Sequence, residues 1–206
     1  FYSLPTMKDL IRAPDGSLVL VMTYVDGVPL DKLIDGYGEN GRHIDPEHVS
    51  WMCSRLLGAL HYLHHHGIVH GDIKPANIII QPKEHNAVVV DFGLAKLNPK
   101  RTDRAAGYTE VYGPPELQAG MPPIPESDIY SLGVTMIHAL GGDPVNFEMP
   151  KHVPRQLRKF LEGFVVRNPL DRPNTLRVDL DRRLKEIRKD VFGSSASGDK
   201  KLEVFK

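Results

Sequence analysis

Two short polar signatures constrain this chain more than any other feature. His70-Gly71-Asp72 is followed at once by Lys74 and Asn77, and Asp91-Phe92-Gly93 comes after a further apolar run. One carboxylate, one amine and one carboxamide therefore lie within six residues, and a second carboxylate follows a predicted strand. Such a set of groups can hold a magnesium–phosphate unit against a hydroxyl.

Each of the four polar side chains has a role in such a transfer, which needs positioning and charge neutralisation more than covalent chemistry. Asp72 would orient the acceptor hydroxyl and take its proton, and Lys74 would reach the transferring phosphate. Asn77 and Asp91 carry the oxygen ligands that Mg²⁺ prefers. The spacing therefore predicts a phosphotransferase site.

The composition excludes several other classes of protein. At 206 residues and 41% apolar content, the chain can bury one domain, or one large and one rudimentary lobe. Its 26 basic and 26 acidic residues balance, so we expect no nucleic-acid partner. No apolar stretch approaches the roughly 18 residues that span a bilayer. The lone cysteine, Cys53, rules out an internal disulfide and fits a cytoplasmic location.

The apolar pattern predicts one hairpin followed by a mainly helical region. Residues 9–11 and 17–25 are apolar-rich runs around Pro14-Asp15-Gly16, which is typical of a β-hairpin. Asp45 can cap a helix whose first residue is Pro46. The other predicted elements are a short helix at 30–34, a glycine-rich loop at 36–41, strands at 78–80 and 87–90, a long loop at 98–120, and helices at 126–140, 154–166 and 173–189.

With these elements in place, the chain resembles the eukaryotic-type Ser/Thr protein kinase family. The catalytic-loop residues 70–77 and the Asp91-Phe92-Gly93 signature carry the resemblance first. Further motifs follow the family's pattern: Leu20 to Val25 as the fifth strand and hinge, Gly113-Pro114-Pro115-Glu116 as the A-P-E motif, Ser127 to Gly133 as the central-helix motif, and Asn168 to Pro173 as the D-x-R-P element.

The resemblance covers about residues 4–189 and implies an α+β fold with a mainly helical C-lobe and a residual β-hairpin of the N-lobe. The implied division places a remnant of the N-lobe, strands four and five with the hinge, at residues 1–25. The C-lobe then occupies residues 26–190, and residues 191–206 form a flexible C-terminal tail.

The resemblance also implies ATP and Mg²⁺ as cofactors and a protein hydroxyl as the acceptor. Asp72 matches the catalytic base and Lys74 the phosphate-contacting lysine of the Ser/Thr branch. Asn77 and Asp91 match the two magnesium ligands. The nucleotide-binding positions are Met22, the gatekeeper, then Thr23, Tyr24 and Val25 of the hinge, and Ile79 below the adenine ring. The supporting positions are Thr109 in the substrate loop, the buried ion pair Glu116 and Arg172, and Asp128, which braces the catalytic loop.

Three departures from the family pattern bear on function. Gly71 replaces the arginine that meets an activation-loop phosphate, so we expect this chain not to depend on that switch. Only eleven residues separate Gly142 from Pro154, which is too few for the family's usual docking helix. No glycine-rich loop, strand lysine or helix glutamate of the N-lobe precedes Leu20.

The small N-terminal hairpin would be incomplete by itself. Two isolated strands are marginally stable in water, and the strand at residues 18–25 would leave an apolar edge open. We therefore expect an upstream segment of a longer kinase, a partner or a second copy to cover this edge. A natively reduced kinase is the alternative.

Other functions could use some of the same residues. A pseudokinase-like scaffold would keep them without using ATP, and a small-molecule phosphotransferase of the aminoglycoside type also has H-G-D. The latter commonly has histidine in place of Lys74 and lacks the elements around Glu116 and Asp128. A cluster of histidines could suggest a zinc site: His61, His64, His65, His66 and His70. Zinc is disfavoured because no third ligand follows at helical spacing. We expect the cluster to face solvent, except for His70, which we expect to pack under the catalytic loop.

Overall fold

The computed structural model describes residues 3–194 and 202–205. A hairpin comes first among the described residues, and all of the helices follow it. In chain order the elements are β1 (Met7–Arg12), β2 (Leu18–Met22), β3 (Val28–Pro29), α1 (Leu30–Glu39), α2 (Pro46–His65), β4 (Ile68–Val69), a 3₁₀ turn (Pro75–Asn77), β5 (Ile78–Gln81), β6 (Asn86–Val89), β7 (Lys96–Leu97), α3 (Pro115–Gln118), α4 (Pro125–Ala139), α5 (Arg155–Glu162), a second 3₁₀ turn (Pro169–Asp171) and α6 (Leu180–Phe192).

β1 and β2 form the predicted hairpin. The strands pair antiparallel, with Ile11 opposite Val19. The turn between them is closed by Asp15, whose carboxylate accepts the Ser17 N–H at 2.9 Å. Gly16 takes a φ of +86°, which glycine adopts without the steric cost that other residues meet. The local turn chemistry therefore sets the hairpin, as the sequence indicates.

β5 positions one of the predicted site residues. It lies between β3 and β6, with Ile79 opposite both Pro29 and Val88. Ile78 and Ile80 are fully buried, whereas Ile79 is half-buried, because successive side chains of a strand point to opposite faces. This strand therefore directs Ile79 away from the helical core.

α2 lies at the centre of that core. It packs against α4, α6 and β6, and its residues Leu56 and Leu60 are fully buried. The Asp45 side chain accepts the Glu47 N–H at 2.9 Å, and Pro46 takes the first helical position, where an N–H would have no partner inside the helix. The predicted capped helix and the predicted α+β class are both confirmed.

Several predicted helix boundaries are wrong; α5, for example, ends at Glu162, with Gly163 at its C-cap, rather than at about residue 166. α1 continues through Gly36 to Glu39, where a glycine-rich loop was expected, because burial of Leu33 and Tyr37 outweighs the roughly 0.5–1 kcal/mol that a helical glycine costs. α6 begins at Leu180 rather than at residue 173, because Asp179 caps it by accepting the Arg182 N–H at 2.9 Å.

The predicted flexible tail at residues 191–206 also needs correction. α6 continues to Phe192, Leu202 is buried, and the ring of Phe205 meets that of Tyr37 edge to face at 5.0 Å. The apolar residues near the end of the chain pack on the core, although a Ser/Gly/Lys-rich stretch precedes them. Residues 195–201 and 206 of that prediction lie outside the described residues.

Candidate active site

One buried carboxylate fixes the backbone of the predicted catalytic loop. Asp128, on α4, accepts the N–H groups of His70 and Gly71, each at 2.8 Å. Its Oδ2 also lies 2.9 Å from Nε2 of His64, whose Nδ1 is 2.6 Å from Oγ1 of Thr175. The Asp128 carboxylate is only 1% exposed, and these partners satisfy its hydrogen-bonding groups. Burying the carboxylate without them would cost folding free energy.

The histidine cluster divides into two groups. His61, His65 and His66 are exposed, as predicted, whereas His64 is buried and the solvent-facing prediction is wrong for it. His70 is fully buried, with its ring 5.0 Å from that of Phe92. The burial of His64 could not be predicted because its neighbours are also histidines, and the sequence pattern does not show which of these rings faces the core.

Gly71 has a structural reason to be glycine. Its φ is +78°, and a Cβ at this position would lie 3.0 Å from the carbonyl oxygen of Leu94. A larger residue would therefore meet both backbone strain and a crowded neighbour. The backbone conformation of this loop therefore favours glycine at position 71, where the family has arginine.

The Asp72 carboxylate collects three side-chain donors. Thr109 Oγ1 donates to Oδ1 at 2.6 Å, and Asn77 Nδ2 donates to Oδ2 at 3.0 Å. Lys74 Nζ lies 2.7 Å from the same Oδ2 and donates to Thr109 Oγ1 at 2.9 Å. The structure thus brings four of the predicted site residues into one hydrogen-bonded cluster, which we call the Asp72 cluster.

These donors determine the charge of Asp72. Burial alone would raise the pKa of its carboxyl group, but the hydrogen bonds from Lys74, Thr109 and Asn77 and the Lys74 charge lower the pKa below its ordinary value. Asp72 is therefore ionised at neutral pH and can accept a hydrogen bond from an incoming hydroxyl.

Asp91 lies two residues after β6, on a segment that is hydrogen-bonded to the backbone of Asn77. The Val90 N–H donates to the carbonyl oxygen of Asn77 at 2.9 Å, which holds the two chain segments together. Asp91 has a φ of +63°, is exposed, and accepts the Gly93 N–H at 3.1 Å. Since Asn77 donates both of its amide contacts to Asp72, its Oδ1 is left to act as an acceptor. An amide oxygen and an exposed carboxylate are ligands that suit Mg²⁺.

The predicted hinge residues differ in their exposure and in which of their backbone groups are available to bind a ligand. The Thr23 N–H already donates to the Thr6 carbonyl oxygen at 2.8 Å, so the carbonyl is the backbone group of Thr23 that is left to meet a ligand. Met22 ends β2 and is half-buried, Tyr24 is 89% exposed, and Val25 is half-buried.

Gly27 brings the chain beyond the hinge close to Ile79. A Cβ on Gly27 would lie 2.6 Å from Cγ2 of Ile79 and 2.5 Å from the carbonyl oxygen of Ile80. Only a residue without a side chain permits this close approach. The predicted adenine floor at Ile79 therefore lies beside the chain that leaves the hinge.

A buried ion pair ties the predicted substrate loop to the core. Arg172 donates to both carboxylate oxygens of Glu116, at 2.6 and 2.9 Å, and its guanidinium lies 4.7 Å from the Tyr130 ring centroid. Its Nε donates to the Val166 carbonyl oxygen at 2.6 Å. Ser127 donates to Glu116 at 2.9 Å. Both charges are buried and hydrogen-bonded, which is the condition for tolerating them.

A second contact of the substrate loop escaped the sequence analysis. The Tyr112 hydroxyl lies 2.8 Å from Nδ1 of His138, in the last turn of α4. Burial is the main cause that raises the pKa of Tyr112, to about 12, and that lowers the pKa of His138. No local pattern links residues 26 positions apart, so the sequence held no signal for this pair.

We expect the protein to lose stability as the pH falls from 7.5 to 5.5. Burial lowers the pKa of both His70 and His138, so the folded state resists protons that the unfolded chain takes up below about pH 6.5. The free energy of unfolding then decreases as the pH falls. Thermal melting across this range measures the effect, and His138→Asn should flatten the slope. A Tm that stays constant or rises on acidification would contradict the prediction.

The helical core and the Asp72 cluster together are the features expected of a protein kinase domain. Comparison with known families agrees: the model of the protein kinase domain matches residues 4–187. The chain belongs to the protein kinase domain family. The resemblance predicted from the motifs is therefore confirmed.

Individual relatives are bacterial and animal Ser/Thr protein kinases. The chain is 38% identical over 140 residues to the serine/threonine-protein kinase PknB of Mycolicibacterium smegmatis, covering 65% of this chain and 21% of that protein. It is 32% identical over 134 residues to serine/threonine-protein kinase D of Synechocystis, covering 61% and 25%. It is 29% identical over 178 residues to serine/threonine-protein kinase PAK mbt of Drosophila melanogaster, covering 75% and 27%. The chain thus spans about a quarter of the length of these relatives.

No helix among the described residues is both long and apolar enough to cross a membrane.

Proposed function

We propose that this chain carries the catalytic lobe of a Ser/Thr protein kinase, which transfers the γ-phosphate of ATP to a protein hydroxyl with Mg²⁺. The Asp72 cluster supports this most, because an ionised acceptor, a lysine and a threonine hydroxyl meet at one point. The names of the bacterial relatives support the Ser/Thr class.

In this proposal Asp72 orients the acceptor hydroxyl and takes its proton. Its lowered pKa makes it a weak base, which suits a largely dissociative transfer in which the hydroxyl needs orientation more than early deprotonation. Lys74 neutralises charge on the transferring phosphate, since its ammonium group can redirect one donor from Asp72 to a phosphate oxygen. Thr109 keeps the substrate loop at the distance that both residues need.

Asn77 and Asp91 would hold Mg²⁺, which supplies charge neutralisation at the nucleotide phosphates when bound. The nucleotide base would lie between the hinge, Thr23 to Val25, and the exposed face of Ile79. The protein would act in the cytoplasm, since the buried lone Cys53 fits a reducing compartment.

We further propose that residues 1–25 belong to a small lobe whose other strands lie outside this hairpin, and that residues 26–190 form the large lobe. Five apolar side chains of the hairpin are 41–64% exposed: Met7, Leu10, Ile11, Val19 and Leu20. Because Leu10 and Ile11 point to opposite faces, the hairpin is apolar on both sides. An upstream segment or a partner that adds strands would bury these side chains and complete the nucleotide cleft.

We expect Mg²⁺-dependent ATP binding in the longest natural form of the protein, measured by calorimetry. Asp91→Asn should weaken Mg²⁺·ATP binding by at least about 10-fold, because one ligand charge is lost. In Mg²⁺-free buffer the variant and the parent protein should bind ATP equally. Asp190→Asn, which removes an exposed carboxylate on α6, is the matched control and should change nothing.

The calorimetry and a phosphorylation assay separate the alternative functions. Absence of ATP binding, with or without Mg²⁺, would contradict the kinase proposal and favour a pseudokinase-like scaffold. Phosphorylation of an aminoglycoside but of no protein would favour the small-molecule phosphotransferase.

A further inference from the structure

The end of the chain returns to the helix that follows the hinge. Leu202 is 8% exposed within the core, and Phe205 packs edge to face on Tyr37 of α1 at a centroid distance of 5.0 Å. Val204, between them, is 42% exposed. Glu203 is exposed as well, so the segment meets the core through Leu202 and Phe205, the residues at its two ends. We call residues 202–205 the tail segment.

Gly36 shapes the surface that receives the tail segment. A Cβ at this position would lie 3.3 Å from both Cβ and Cδ2 of Phe205, which is closer than most side-chain contacts. Glycine is unfavourable inside a helix, so its presence here is accounted for by the ring that lies against it. Gly38 on the same helix has nothing within 4 Å of the corresponding position.

Arg42 closes the other side of this surface. Its guanidinium lies 5.6 Å from the Tyr37 ring centroid and 5.7 Å from that of Phe205, and it pairs with the Glu203 carboxylate at 2.5 Å. Both charged side chains are half exposed, so the pair contributes little energy and mainly fixes the register of the segment. The apolar contacts of Leu202 and Phe205 supply the stabilisation.

α1 in turn lies against the candidate active site. It begins directly after β3, and it packs against the 3₁₀ turn Pro75–Asn77 that carries the Asn77 side chain. We propose that the tail segment is an intramolecular docking element that holds α1 against this turn, so that the end of the chain supports the catalytic loop. This inference is independent of whether the site transfers phosphate, because it concerns the stability of α1.

A matched pair of variants in the tail segment tests the proposal. Phe205→Ala should lower Tm by roughly 3–6 °C and speed amide hydrogen exchange in α1 by about 10-fold or more, while α6 exchanges as before. Val204→Ala removes an exposed side chain of the same segment and should leave both measurements unchanged. Equal behaviour of the two variants, or an α1 exchange rate that Phe205→Ala does not alter, would overturn the proposal.

The two glycines of α1 give an independent test. Gly38→Ala should raise Tm slightly, since alanine favours a helix and finds open space there. Gly36→Ala should raise Tm by less than Gly38→Ala does, or should lower it, because the new methyl group displaces Phe205. In a chain ending at residue 201, Gly36→Ala should recover the gain seen for Gly38→Ala. Identical shifts for both glycines in the full chain would show that the tail segment does not occupy this surface.

The same variants distinguish a segment that docks in its own chain from one that docks in a second copy. We compare the Tm of the parent protein with that of Phe205→Ala at low and at high protein concentration. If the difference does not change with concentration, the segment docks within its own chain. A difference that grows with concentration, together with dimers in light scattering, would overturn the intramolecular proposal.

Discussion

Asp72→Asn will lower the turnover number for phosphate transfer from ATP to a generic basic protein by about 10²–10⁴-fold. The amide cannot take a proton, and it exchanges one acceptor oxygen for a donor that faces Lys74 and Asn77. The incoming hydroxyl then loses both its orienting partner and its proton acceptor. ATP binding should change little, because Asp72 is not placed among the proposed nucleotide or metal contacts.

The measurement separates kcat from KM in the longest natural form of the protein. Asp190→Asn serves again as the matched carboxylate control, since that side chain is exposed on α6. Turnover that is the same in Asp72→Asn and in the control would show that another group acts as the base. Melting curves for both variants establish that the comparison is made between folded proteins.

Removing either partner of the Glu116–Arg172 pair will lower the free energy of unfolding by about 3–5 kcal/mol, or Tm by roughly 6–20 °C. The side chains are 4% and 0% exposed, so the remaining charge would stay buried without its partner. Arg172→Ala also frees the carbonyl oxygens of Val166 and Arg167 from their donor. Denaturant unfolding measures the loss.

An exposed ion pair of the same chemistry provides the control. Arg182 and Glu186 lie 3.4 Å apart on α6 and are 78% and 65% exposed, so Arg182→Ala should cost no more than about 0.5 kcal/mol. The double variant Glu116→Ala with Arg172→Ala should lose less than the sum of the single losses, because no lone buried charge remains. A cost for Arg172→Ala that equals the control would contradict the assignment of a buried structural pair.

Elements set by local chemistry could be predicted from the sequence. The hairpin turn depends on Asp15 and Gly16, and α2 depends on the Asp45 cap. The motif spacing also indicated residues that meet in space, because Asp72, Lys74 and Asn77 are held by one short loop and its turn. In each case the interacting groups lie a few positions apart, so the pattern contains the information.

Features that depend on distant partners could not be predicted in this way. His64 is buried because Asp128 and Thr175 lie on either side of its ring, and those residues are 64 and 111 positions away. The tail segment packs on Gly36 and Tyr37, yet the preceding Ser/Gly/Lys-rich stretch gave the whole tail the composition of a disordered one. Tertiary packing outweighs local propensity at these positions.

The position of Asp128 has a consequence for the order in which this protein can fold. Its contacts to His64, His70 and Gly71 close loops of 57–64 residues, and the chain loses conformational entropy in each closure. The catalytic-loop backbone can therefore reach its final shape only after α2 and α4 have met. We expect the His70 and Gly71 amides to exchange with solvent only by global unfolding of the helical core, so that formation of the site marks the completion of folding.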